Sequence, residues 1–117
     1  MCWNGHSGQK KVAEKDIEVY KIGRVRDNRF ICEFRNFSYK KGVPNKELVL
    51  KETRWMGSIS INEGYHSYLT EEMAKCSRDE YDEIGIFEIP AGATIYVNYK
   101  RREVVSTDIK YLGLLEE

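Results

Sequence analysis

The chain is poor in proline and cysteine, with two prolines and three cysteines among 117 residues, and it carries no net charge. Cys2, Cys32 and Cys76 are odd in number and widely spaced, which excludes a disulfide framework and predicts reduced thiols. Nineteen Lys and Arg against nineteen Asp and Glu exclude a histone-like or polybasic membrane role, because no bulk positive field is present to condense on phosphate. No apolar run approaches the roughly 18 residues that span a bilayer, and Met1 to Lys15 is polar and lysine-rich without the apolar core of a signal peptide. A cytoplasmic location and no membrane contact are expected. Phosphate-loop, dinucleotide-fingerprint, H-E-x-x-H and G-x-S-x-G patterns are all missing, so no cofactor and no familiar catalytic centre is expected. For metal, Cys2 and His6 stand alone at C-x3-H spacing, without the second ligand pair that structural zinc uses.

What is present is the material of one globular domain. The chain is 41% hydrophobic and 12% aromatic, far from the signature of disorder, and its length suits a single core. The zero charge hides a gradient: residues 1 to 54 hold 13 basic against 7 acidic side chains, and residues 55 to 117 hold 6 against 12. The two halves either face each other or form separate poles.

Alternating apolar and polar positions place strands over Asp16 to Arg26 and Arg29 to Lys40, joined by the turn pair Asp27-Asn28. Lys41 to Asn45 reads as a loop, Glu47 to Trp55 as a strand, and Ser58 to Asn62 as a clean alternation broken by Gly64. Thr70 is placed to cap a helix running to about Tyr81, with Glu71 and Glu72 where the helix dipole favours anions. Strands follow at Glu83 to Ile89 and Ala93 to Tyr99, joined by Pro90-Ala91-Gly92, with further apolar bursts between Glu103 and Leu115. The expected fold is α+β, a mainly antiparallel twisted sheet of five to seven strands with one short helix packed on it. Residues 1 to 15 are expected to form a flexible leader and residues 16 to 117 the single domain.

Val19-Tyr20-Lys21, Gly64-Tyr65-His66-Ser67 and Ile89-Pro90-Ala91-Gly92 followed by Tyr96 resemble elements of a group of small uncharacterised phage and bacterial proteins. That resemblance spans about residues 16 to 115 and implies a shared fold without implying an activity. The order of elements is also distantly similar to the ADP-ribosyltransferase fold, which would imply nucleotide binding through Arg24, His66 and either Glu88 or Glu103. The Ser-Thr-Ser strand and the late Glu-x-Glu pair of those enzymes are not found here.

Several side chains invite a ligand. His66 follows Gly64, where backbone can approach a ligand closely, and lies between Tyr65 and Tyr68, whose rings can stack. With Arg24, Arg54 and Tyr96 they form the candidate binding set, against the alternative that His66 anchors the strand-to-helix junction. Arg24, Arg26, Arg29 and Arg35 interleave with Tyr20, Phe30, Phe34, Phe37 and Tyr39, a basic and aromatic hairpin of the kind that carries single-stranded nucleic acid. Cys2, if exposed by loss of Met1, has the thiol and amine of an N-terminal nucleophile, or else belongs to an apolar tail with Trp3. The acids Asp79, Glu80, Asp82 and Glu83 read as a solvated face. Together these features predict a non-catalytic accessory domain that binds a protein partner or small ligand, with an ADP-ribosyltransferase-like nucleotide domain as the alternative.

Overall fold

The computed structural model describes residues 3–6, 10–32, 38–45, 52–55, 58–61 and 64–115, with residues 3–6, 52–55 and 58–60 described by backbone alone. In chain order the strands are β1 (Trp3–His6), β2 (Lys10–Val12), β3 (Ile17–Arg26), β4 (Arg29–Cys32), β5 (Ser38–Lys40), β6 (Pro44–Asn45), β7 (Glu52–Trp55), β8 (Ser58–Ile61) and β9 (Tyr65–Tyr68). The helix α1 (Glu71–Ser77) follows, then β10 (Glu83–Ile89), β11 (Thr94–Asn98), β12 (Glu103–Ser106) and β13 (Ile109–Leu114). All described pairings are antiparallel, so the chain is an α+β protein dominated by antiparallel sheet.

The large sheet runs β2-β11-β12-β9-β3-β10-β13-β6, with β4 on β3 and β5 on β4, and a small sheet runs β1-β8-β7. The ten strands of the large sheet exceed the five to seven expected, because the segment Arg29 to Lys40 contributes two strands rather than one and short strands form within stretches read as loop or leader. Residues 1 to 15 in particular contribute β1, paired with β8, and β2, paired with β11.

The central strand is β3. Gly23 pairs with Glu83 on one edge and with Cys32 on the other, so β4 shares with β9 the edge opposite β10. The β3–β4 hairpin turns on Asp27 and Asn28 at φ 51° and 63°, the left-handed pair that a two-residue turn needs and that Asp and Asn tolerate best after Gly. Alternation sends Val19, Lys21 and Gly23 inward, where they meet Phe30, Tyr39, Phe87 and Tyr111. Phe87 is the hub of this cluster. Its ring lies 5.2 Å from Phe30, 5.0 Å from Tyr39 and 5.1 Å from Tyr111, mostly in the edge-on or tilted geometries that ring quadrupoles favour.

Two glycines make room for it. A Cβ on Gly85 would stand 2.8 Å from both Phe30 Cε2 and Phe87 Cε1, and one on Gly23 would collide with the Ile31 carbonyl oxygen. The opposite face of β11 and β12 buries Tyr96 and Val105 beneath Ile61 of the small sheet, which explains why β11 has no exposed residue despite its clean alternation.

Helix α1 starts where expected, with Thr70 Oγ1 accepting from Met73 N at 3.2 Å. It ends at Ser77, short of the expected Tyr81. Arg78 is already extended at ψ 147°, and Asp79 and Asp82 close a tight turn in which Asp82 Oδ2 accepts from Asp79 N and Asp79 O accepts from Asp82 N. That local carboxylate bond offers the backbone an alternative to helix. Asp82 is therefore buried, not part of the solvated acidic face expected, while Asp79 and Glu80 are exposed.

The basic and acidic halves face each other. β3 pairs with β10 over seven residues, Arg24 Nε lies 3.7 Å from Asp82 Oδ1, and Glu83 accepts from Val25 N at 3.3 Å. Cys32 is a buried free thiol and Cys76 an exposed one; no disulfide joins described residues, and Cys2 lies outside them. No described helix is long and apolar enough to cross a membrane.

Candidate functional site

The register across β9, β12, β11 and β2 lays His66, Val105, Tyr96 and Lys10 in one row on the outer face. Tyr68, Glu103 and Asn98 form the next row, and Tyr68 continues it to Tyr20 of β3. Three of the expected binding residues, His66, Tyr68 and Tyr96, thus share a surface. Tyr96 is only 1% exposed there, with Lys10 Nζ 5.8 Å from its ring. Glu103 is buried on that face with Oε2 hydrogen-bonded to no described residue; burial pushes its carboxyl up, and Arg101, with Nε 3.8 Å from Oε1, opposes that shift. Tyr20 donates to Glu18 at 2.9 Å, and burial, that bond and the charges of Glu18 and Glu71 raise its hydroxyl to about 12.

The other expected residues lie elsewhere. Tyr65 points into the core, its ring 6.1 Å from Tyr39. Arg24 stands beside Asp82 at the far end of β3. Arg54 has its backbone on β7 opposite Ile59, and its side chain lies outside the described residues. Among the described side chains, Arg24 and Tyr65 lie apart from the row that holds His66, Tyr68 and Tyr96.

The inner face holds a charged group that the sequence gives no reason to expect. Lys21 is 5% exposed, donates from Nζ to the His66 carbonyl, and lies 5.5 Å from the Tyr39 ring and 5.7 Å from that of Phe87. Burial lowers its pKa, while Cys32, whose thiol burial pushes up, partly counteracts the shift. Rings and a carbonyl replace the lost water, which accounts for a lysine in an aromatic core.

In the basic hairpin the core takes two of the five aromatics. Arg24, Arg26 and Arg29 are exposed, but Phe30 and Tyr39 are buried, and Arg35, Phe34 and Phe37 lie outside the described residues. A basic and aromatic surface occurs instead at the turn Tyr99 to Arg102 between β11 and β12, beside β2. Tyr99 is 62% exposed, and Lys11 Nζ donates to its hydroxyl, 5.0 Å from the ring centroid at the ring's edge. Lys100 is exposed. Asn98 Oδ1 accepts from Arg101 N at 3.1 Å, Leu69 N donates to Arg102 O at 2.7 Å, and Arg102 sits at φ 53°, so the turn is held in one shape.

Beside it a cleft of about 670 Å³ is lined by Thr70, Glu71, Glu72, Lys75 and Arg102. Its charges compensate internally, Lys75 bonding Glu71 at 2.8 Å and Arg102 lying 3.6 Å from Glu72. The alternation pattern leaves Lys100 to Arg102 between two expected strands and puts Lys10 and Lys11 in the expected leader. The Tyr-Lys-Arg-Arg run was a visible signal, but its meeting with Lys11 depends on the β2–β11 register.

Among the described residues no three His, Cys, Asp or Glu side chains converge to hold a metal ion. Comparison with protein-family models, curated proteins and solved structures finds no match to this chain.

Proposed function

We propose that this chain is a non-catalytic accessory domain that binds an anionic partner or ligand at the turn Tyr99 to Arg102. The observation that carries the reading is the exposed Tyr99 ring in contact with Lys11 on a hydrogen-bonded turn whose next residues are the exposed Lys100 and Arg101. Exposed aromatic and arginine side chains on a fixed frame lose little conformational entropy on binding. Heparin, as a generic polyanion, tests it: at a hundred times its dissociation constant a ligand adds about 2.7 kcal/mol of stability. A clear rise in melting temperature is expected, and the double variant Lys100→Glu/Arg101→Glu should abolish it. Heparin that leaves the melting temperature unchanged, or that stabilises this variant equally, defeats the reading.

A second reading, an ADP-ribosyltransferase-like nucleotide domain, draws on the diagonal placement of His66 and Glu103 on the outer face beside Tyr68. Nicotinamide dinucleotide would then stabilise the protein, and Glu103→Gln would remove that effect.

A further inference from the structure

Resting on the polyanion reading above, we propose that the surface at Tyr99 to Arg102 is a binding site for single-stranded nucleic acid, contacted without regard to base sequence. The ligand chemistry follows from the residues. Lys11 contacts the exposed Tyr99 ring, Lys100 and Arg101 follow it on the same turn, and Arg101 is 58% exposed, so its guanidinium stays accessible beside Glu103. Cations alone fit any polyanion. The ring selects further, because an exposed tyrosine offers a flat π-face on which every nucleobase can stack, a better match than the puckered ring of a sulfated sugar.

A duplex fits less well. Its bases are already stacked on one another, and the one described helix has seven residues with Glu71 and Glu72 in its first turn, unsuited to a negatively charged groove. The hairpin at Arg24 to Arg29 competes poorly, since Phe30 and Tyr39 are consumed by the core and Arg24 faces Asp82.

Fluorescence anisotropy with a labelled oligothymidylate tests the assignment. Three phosphate contacts predict a slope of log affinity on log salt of about −2 for a single strand. Tyr99→Ala should weaken binding by roughly five- to a hundred-fold, within the range found when one stacking ring is lost, while Tyr99→Phe retains it. Lys100→Glu should weaken binding and flatten the salt slope, and Arg26→Glu/Arg29→Glu should leave both unchanged. Tyr99 and Lys100 are exposed, so these variants should keep the wild-type circular dichroism.

Binding that survives Tyr99→Ala, binding lost in the hairpin variant, or equal affinity for a duplex of the same sequence overturns the proposal. Heparin binding without oligothymidylate binding removes the nucleic-acid assignment and leaves the polyanion reading standing. Binding of neither removes both.

Discussion

Replacing Gly85 with alanine would test whether the aromatic cluster is packed as tightly as its distances imply. The new Cβ would lie 2.8 Å from Phe30 Cε2 and from Phe87 Cε1, where carbon atoms prefer about 3.5–4.0 Å, so both rings must retreat by roughly 0.7 Å or more. Neither ring is exposed, and Phe30 is held between Phe87 and Tyr111, each 5.2 Å away between centroids, so the displacement spreads through the core. Overpacking of this kind costs about 1–3 kcal/mol, and the lower backbone entropy of the unfolded alanine chain returns about 0.4–1 kcal/mol. The net expectation is a loss of about 1–2 kcal/mol.

Urea unfolding should show this as a lower midpoint with an unchanged m value. Leucine at position 30 removes the ring edge that clashes, so Gly85→Ala should cost at least about 0.5 kcal/mol less in a Phe30→Leu background than in the wild type. Gly23→Ala is the control. Its Cβ meets the Ile31 carbonyl, a backbone atom that Phe30→Leu does not move, so most of its cost should persist in that background. A neutral Gly85→Ala, or the same cost with and without Phe30→Leu, would refute the packing argument.

The alkaline limb of stability should divide between two buried groups. Lys21 has its folded pKa below the unfolded value of 10.5, so the unfolded state binds more protons between the two and stability rises with pH there; Lys21→Met should remove that rise in urea melts taken from pH 7 upward. Burial holds the Cys32 thiol above its ordinary pKa of 9.0 in the folded protein, so the unfolded state loses its proton first and stability falls as pH climbs above 9.0; Cys32→Ala should relieve part of that alkaline loss. Thr70→Ala removes the cap of α1 and should cost about 1 kcal/mol by thermal melting, whereas Thr70→Ser should retain most of the stability. Asp82→Ala should destabilise by about 1–2 kcal/mol because it removes the buried carboxylate that accepts from Asp79 N and closes the turn, while Arg24→Ala, from a half-exposed ion pair, should cost under about 1 kcal/mol in the same assay.

The strands most legible in sequence were those whose alternation matches a one-sided core. Ile17 to Arg26 and Glu83 to Ile89 carry that pattern, and the structure pairs them along their lengths. Asp27-Asn28, Pro90-Ala91-Gly92 and Thr70 were legible because turn and cap chemistry is local. The end of α1 was not, since it depends on a carboxylate three residues beyond Asp79. Nor could alternation reveal that Lys21 occupies a core position, because its solvation comes from Tyr39, Phe87 and a carbonyl on β9. The reverse holds for Phe30 and Tyr39, which have the composition of a binding hairpin, and only the tertiary fold shows that the core has claimed them.

The antiparallel match of β3 with β10, and of β2 with β11, has a consequence for how the chain is made. β2 finds its partner only in the acidic half, and β3, though it makes a hairpin with β4, takes its longest pairing from β10, so during synthesis these edges wait for residues still to be translated. Through that interval the excess of basic side chains in the first half is uncompensated. Arrival of the acidic half supplies hydrogen-bond partners and counter-charge together.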